Sequence, residues 1–356
     1  MNFLRRLDPY LLIPAAGISG ISLFLLTTGK NNLFLPQVIF IIIGLILYSV
    51  FSSLDYRAWP KFHYIFYVFS LLFLVLVLFT PTIRGAHRWI DFGYFVLQPS
   101  EILKPVIILF YAALFAGKNN IAGGNFLWPI LSFLPILAMI FVQPDLGNVL
   151  IYMIFFVALL IIAGTGISFI IGGGFLAVFL LPAFWALLKD YQKSRIITFL
   201  NPNIDPSGAG YNAIQSMIAI GSGGLAGLGL GGGTQSRLYF LPEYQTDFIF
   251  ATLVESLGLI GGSILIGLYI FMLIRILMIC FNSEDDLGRF ISAGIFFQIF
   301  AQIFINIGMN LGLLPITGIT LPLLSYGGSS IVSTYMALGL VSAITSTLPK
   351  KLLVIR

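Results

Sequence analysis

The sequence predicts an all-α integral membrane protein of about ten transmembrane helices, on three observations. Of its 356 residues, 59% are hydrophobic and only 9% charged, with a mean hydropathy of +1.03, whereas roughly a quarter of the residues of soluble domains are charged. The apolar residues fall in runs of about 17 to 25, the length of helix that crosses a bilayer. The formal charge of +5 is scattered over the ends of those runs and forms no stripe, which excludes a nucleic-acid surface and reads as a topology signal. The single cysteine, Cys280, permits no internal disulfide and no cysteine metal site. Stability must therefore come from helix packing.

In chain order the spans fall near residues 10–28, 34–52, 64–80, 101–117, 126–142, 146–163, 167–188, 247–280, 290–309 and 328–348. The eighth is over-long and is expected to tilt or to extend into the cytoplasm. No cleavable signal peptide is expected after Arg5 and Arg6, since no A-x-A-like site stands out. Placing the N-terminus inside puts Arg5, Arg6, Arg57, Lys61, Lys118, Arg275, Arg289, Lys350, Lys351 and Arg356 in the cytoplasm, against Lys30, Arg84, Arg88 and Lys104 outside. Lysine and arginine of short loops stay preferentially inside, so both termini are expected to be cytoplasmic. The chain then forms a single polytopic membrane domain, 1–356, with one large extracytoplasmic loop at about 189–246. Within that loop an amphipathic helix is expected over 211–220, followed by glycines. The loop at 81–100 mixes charges with aromatic residues and suits the headgroup level. The stretch at 310–330 should be irregular backbone, which survives at membrane depth only when packed on protein or lining a wet cavity.

Under this topology the fourth, sixth, eighth and tenth spans begin on the outer face. Their starts read Gln98-Pro99-Ser100-Glu101, Gln143-Pro144-Asp145, Pro242-Glu243 through Thr246-Asp247, and Ser325-Tyr326-Gly327-Gly328-Ser329-Ser330. Three carry an acid and the fourth carries N–H donors, and they are expected to converge on one outward-facing pocket. Asp247 stands at the seam between a long polar loop and an apolar helix. A cap on the helix dipole, worth about 0.3–1 kcal/mol, and a catalytic carboxylate are both open to it; ionisable groups at a membrane boundary favour the second. Glu101 and Lys104 are spaced for a salt pair, the alternative being an anionic substrate group on Lys104. Asp145 reads as a first-turn residue with Pro144 at the first helical position. Glu255, two turns below Asp247, needs a lysine or polar backbone as partner. The 325–330 run suits either a phosphate or a close-packed helix entry. The glycine run at 221–233 contains G-x-G-x-x-G at Gly227, Gly229 and Gly232, but no strand precedes it and it is read as a flexible loop. His63 and His87 are too few and too separate for a metal site and read as interfacial.

Taken together, Gly85-Ala86-His87-Arg88-Trp89-Ile90, Gln98-Pro99-Ser100-Glu101 with Lys104, Gln143-Pro144-Asp145-Leu146-Gly147, residues 211–216, Thr246-Asp247-Phe248-Ile249-Phe250, and Leu314-Pro315-Ile316-Thr317-Gly318 through Ser330 resemble the SEDS family. Its members are RodA, FtsW and SpoVE, and the motifs run in family order over nearly the whole chain. The resemblance implies ten helices in a bacterial cytoplasmic membrane and a peptidoglycan glycosyltransferase that polymerises lipid II on the outer face. It also implies a class B penicillin-binding protein as partner, which crosslinks the product. Asp247 matches the family's essential acid. Gln245 stands where many members have histidine, and Ser256 where a second glutamate often follows Glu255. The short tails look more like RodA than FtsW, so a part in elongation and cell shape is expected, with division and sporulation counterparts as alternatives. A lipid II flippase and a non-catalytic scaffold are the rival classes.

In the chemistry thus implied, Asp247 takes the proton of an attacking sugar hydroxyl. Arg88, Lys104, Arg195 and the 325–330 helix start are the expected contacts of the leaving diphosphate. Glu101, Asp145, Gln215, Glu255, Ser325, Tyr326, Gly327 and Ser329 complete the expected substrate-binding set. Prenyl tails would lie against membrane lipids in a groove of phenylalanine and leucine. No metal-ligand set is assigned; a divalent cation, magnesium or manganese, would bridge diphosphate and carboxylate.

Overall fold

Each of the ten apolar runs forms a helix in the computed structural model. These are α1 (Pro9–Leu26), α2 (Phe34–Ser53), α3 (His63–Leu76), α4 (Pro99–Ala116), α5 (Leu127–Val142), α6 (Leu146–Ile162) and α7 (Ile167–Leu187), then α11 (Ile249–Asn282), α12 (Asp286–Asn310) and α13 (Gly328–Thr345). Between α7 and α11 lie α8 (Asp190–Leu200), α9 (Tyr211–Ser222), which is the amphipathic helix expected there, and the single turn α10 (Thr234–Arg237). Eight of the ten are long and apolar enough to cross a membrane, α3 being counted with its flanking 3-10 turns; α5 and α6 are shorter. A two-residue hairpin, β1 (Ile90–Asp91) with β2 (Val96–Leu97), precedes α4. The described residues are 7–27, 33–82, 86–93, 95–117, 126–201, 204, 205, 208, 210–238 and 240–345. Of the topology signals, Arg5, Arg6, Lys30, Arg84, Lys118, Lys350, Lys351 and Arg356 lie outside them, as does Gly85.

Local chemistry sets several helix starts. Asp8, Asp145 and Asp285 each accept a backbone N–H of the turn that follows, capping α1, α6 and α12, and Pro99 opens α4 where no amide donor is needed. The bundle is built around α13 and α4, buried over 89% and 83% of their spanning windows, while α7 buries no residue and stands at the rim. α13 packs on α2 and α4, α12 on α4, α6 and α11, and α1 on α11. Lipid offers no hydrophobic drive for helix association, so close backbone approach has to supply the attraction. Gly44 of α2 against Tyr335, and Gly339 of α13 against Tyr48, leave no room for a Cβ.

At the end of the bundle away from the α11 start, Arg275 is no loop charge: it lies inside α11, 2% exposed. Its Nε and Nη2 donate to Asp8 Oδ2 at 2.9 and 2.8 Å.

The over-long eighth span is not one continuous helix, because it breaks at Gly258, where φ is 67° and ψ −169°. The glycine run is not a flexible loop either, since its first half fills that break. Leu228 N–H donates to Glu255 O (2.9 Å) and Gly229 N–H to Ser256 O (3.1 Å), while Leu259 and Ile260 N–H donate to Gly224 O (2.9 Å) and Leu225 O (3.2 Å). A broken helix inside a bilayer exposes backbone groups that water cannot reach, and this segment satisfies them. Gly227 has to be glycine because a Cβ would strike the Ser256 backbone.

Gly258→Ala, with a left-handed backbone and a neighbouring carbonyl in the way, is expected to destabilise the protein by about 2 kcal/mol or more. Gly267→Ala, in the same helix but with nothing within 4 Å of the new methyl, should be neutral or stabilise by up to about 1 kcal/mol. Thermal unfolding of both variants in detergent checks the pair.

Candidate active site

The starts of α4, α6, α11 and α13 are joined by hydrogen bonds. Gln98 donates from Nε2 to Asp145 Oδ2 (2.7 Å) and from its backbone N–H to Ser329 Oγ (2.8 Å). Asp145 is the N-cap of α6 and not a first-turn residue, because α6 begins at Leu146 and leaves Pro144 outside the helix. Asp145 Oδ1 accepts from Asn148 N–H (3.3 Å), and Oδ2 accepts also from Asn148 Nδ2 (2.9 Å) and Ser100 Oγ (3.3 Å). Ser325 Oγ donates to Thr246 O (2.7 Å) and Tyr326 N–H to Gln245 O (2.9 Å), which stitches the approach to α13 onto the segment carrying Asp247.

One turn into α4, Lys104 Nζ lies 2.5 Å from Glu101 Oε1. The lysine is 0% exposed and the glutamate 6%, so the plain ion pair is what forms. An ammonium without water needs such a partner, and a substrate anion reaches Lys104 only if the start of α4 opens. Glu101 Oε2 and Asn148 Oδ1 have no hydrogen-bond partner among the described residues.

Asp247 is half-buried, one residue upstream of Phe248, the N-cap of α11, which makes no side-chain capping bond. Its carbonyl accepts from Asn306 Nδ2 (3.0 Å) and Asn310 Nδ2 (3.1 Å), both from α12. Its carboxylate faces Gly318, where a Cβ would come within 3.5 Å of Asp247 Oδ2 and 3.9 Å of Arg195 Nη1. Gly318, at φ 74°, thus keeps open the space between acid and guanidinium. Arg195, from α8, donates to Ile316 O (3.2 Å) and lies over the Tyr191 ring. Burial lowers its pKa; the Asp247 carboxylate opposes that and nearby Arg88 adds to it. An arginine stays charged throughout, so the site keeps a cation beside its acid.

Arg88 is engaged with backbone. Nε donates to Gln143 O (2.9 Å), and Nη2 to Pro144 O and Tyr191 Oη. Tyr191 Oη in turn donates to Pro144 O (3.1 Å). The guanidinium therefore ties the turn between α5 and α6 to α8, close to Arg195. Among the described residues no three His, Cys, Asp or Glu side chains gather where they could hold a metal ion. The described residues supply no ligand cage for a resident magnesium or manganese ion.

Glu255, 0% exposed, meets polar backbone: it accepts from the N–H groups of Gln235 (2.8 Å) and Ser236 (3.1 Å) and so caps α10. Gln215 lies on α9 beside Ser216, whose hydroxyl donates to Asn310 O (2.9 Å). Tyr326, Gly327 and Ser329 stand half-buried at the start of α13. Sequence reasoning gave no site role to Asn306, Asn310, Tyr191 or Gly318. The two asparagines carried a usable signal, amides four apart inside an apolar span, and Gly318 closes the 314–318 motif; Tyr191 carried none.

Comparison with known proteins adds a lineage to this geometry. The family model for cell cycle proteins, FtsW, RodA and SpoVE, matches residues 11–349. The chain is similar to the peptidoglycan glycosyltransferase MrdB of Escherichia coli (strain K12), 38% identical over 313 residues that cover 85% of this chain and 83% of MrdB. It is equally similar to the stage V sporulation protein E of Bacillus subtilis (strain 168), 38% identical over 316 residues covering 85% and 84%. Among solved structures, a chain from a peptidoglycan synthase complex that coordinates polymerization and crosslinking superposes with a TM-score of 0.83 at 29% identity, covering 96% of this chain and 98% of that one.

Replacing Arg88 by lysine leaves one charge but cannot reproduce the fork that holds two carbonyls and a tyrosine. Arg88→Lys is expected to cost about 1.5–3 kcal/mol and to speed amide hydrogen exchange over 190–200. Exchange there at the wild-type rate would remove Arg88 from its role in holding α8.

Proposed function

The chain belongs to the family of cell cycle proteins that comprises FtsW, RodA and SpoVE, and from that premise we propose that it polymerises lipid II into glycan strands, with Asp247 as the base. A multi-pass membrane protein and peptidoglycan glycosyltransferase by kinship, it would work in the bacterial cytoplasmic membrane with its site on the outer face. The observation that carries the reading is the setting of Asp247. It is an acid at the meeting of four helix starts, its backbone clamped by two asparagines and a guanidinium nearby.

The reaction joins a sugar hydroxyl of one substrate to the anomeric carbon of a second and expels a polyprenyl diphosphate. As the new C–O bond forms, the hydroxyl proton passes to the Asp247 carboxylate, and the electron pair of the old C–O bond leaves on the diphosphate. The anionic leaving group draws on Arg195, on Arg88 and on the positive helix starts gathered around them. The acids and guanidinium groups gathered at the α4, α6 and α11 starts suit such a site, whereas a transport path would open to both faces. A class B penicillin-binding protein is the proposed partner, in keeping with the similarity to a chain of a synthase complex. A RodA-like part in elongation is the role we favour among elongation, division and sporulation.

Purified protein supplied with lipid II, with and without the partner, tests this. Wild type should make glycan strands, and Asp247→Asn should lose at least about 100-fold in rate while folding normally. Silence of the wild type in both settings, with lipid II crossing vesicles that carry it, would replace the polymerase with a flippase.

A further inference from the structure

Helix α11 starts without a cap of its own. Its first turn, Ile249-Phe250-Ala251, follows Phe248, which has no side-chain oxygen, so the amides of that turn need an acceptor from elsewhere. For one of them the acceptor comes from another helix: Ala251 N–H, at the third helical position, donates to Asn310 Oδ1 at 3.2 Å. The same amide donates from Nδ2 to Asp247 O (3.1 Å) and to Asn306 O (2.8 Å). Asn306 Nδ2 donates to Asp247 O (3.0 Å) and to Ile319 O (2.6 Å), next to Gly318. Both asparagines are 0% exposed, and Ser216 of α9 fixes the end of α12 through Asn310 O.

We propose that Asn306 and Asn310 are positioning residues for Asp247: both hold its peptide group through the Asp247 carbonyl, and Asn310 also accepts the Ala251 amide of the helix start. The proposal rests on the polymerase reading above and deepens it. Asn306 holds the acid's peptide plane in register with the Gly318 floor. Asn310 grips the same carbonyl and ties it to the first turn of α11.

The test uses the full-length protein in lipid, with its partner present and lipid II as substrate. Wild type, Asp247→Asn, Asn306→Leu and Asn310→Leu are compared, leucine keeping the shape of asparagine without its hydrogen bonds. Each leucine variant is expected to lose about 10- to 100-fold in kcat, with KM for lipid II within about twofold of wild type. The double variant should lose little more than the worse single one, because both act on one carbonyl. Should a leucine variant fail to fold, Ser216→Ala, which removes the hydroxyl that donates to Asn310 O and Oδ1, carries the same test as a several-fold fall in kcat at constant KM. A folded variant with wild-type kcat, or one whose loss lies entirely in KM, overturns the positioning role while leaving the polymerase intact. An inactive wild type, or an Asp247→Asn variant as active as wild type, takes down the polymerase reading and the positioning role with it.

Discussion

Water is absent from the hydrocarbon interior of a bilayer, so every N–H and C=O released where a helix breaks needs a partner from the protein itself. That constraint organises the irregular parts of this fold. At Gly258 the interruption of α11 is filled by backbone of residues 224–229, amide to carbonyl in both directions. Ahead of α11, four consecutive carbonyls each find a donor from a different place. Thr252 Oγ1 reaches Tyr244 O, Tyr326 N–H reaches Gln245 O, Ser325 Oγ reaches Thr246 O, and the two α12 asparagines reach Asp247 O. The carbonyls of the segment bearing the acid are as fully bonded as those of a helix, although it is not one. Rigidity of that kind lets a catalytic group keep its geometry without reorganising at the moment of reaction.

Charge is handled by the same logic. A lone buried ion is expensive, and removing one partner of a pair costs more than the pair is worth. Lys104 therefore sits on Glu101, and Arg275 on Asp8, both sealed from solvent. The Arg275–Asp8 pair joins α11 to α1, whereas Glu101 and Lys104 lie within α4, whose first turn is held against α13 through backbone, Ser333 of α13 donating to Glu101 O (2.7 Å). Among the described residues, Arg195 stands beside the half-buried acid with Arg88 near it, and guanidinium groups can be gripped by carbonyls while remaining charged.

What the sequence made legible followed from composition and period. Ten apolar runs became ten helices because length and hydropathy alone decide which segments leave water. Asp247 stood out because an acid at the edge of such a run has few bland explanations. The break at Gly258 was illegible, since Leu257-Gly258-Leu259 reads as ordinary apolar helix and hydropathy carries no φ. The glycine run looked like slack for the complementary reason: its order comes from a partner 30 residues away, not from its own side chains. Asn306 and Asn310 lay in plain view, four apart and in line with Gln298 and Gln302, all at most 1% exposed. Such a row of amides in an apolar helix was a signal of something buried and polar alongside it. The carbonyl grip of Arg88 was beyond reach because it joins residues more than 50 positions apart.

Acids alone do not mark the chemistry here, since several stand within a few turns of one another and most have structural work. Asp145 accepts from three side chains and a backbone amide as the cap of α6. Glu255 caps α10 with both oxygens, and Glu101 holds a lysine. What distinguishes Asp247 is that its carbonyl is gripped from another helix by two buried asparagines, one of which also accepts the Ala251 amide of α11. The backbone that carries the acid is thereby fixed from α12, while its carboxylate faces the gap above Gly318 beside Arg195. The backbone of the acid and the first turn of the helix that follows it are thus set by the same two amides of α12.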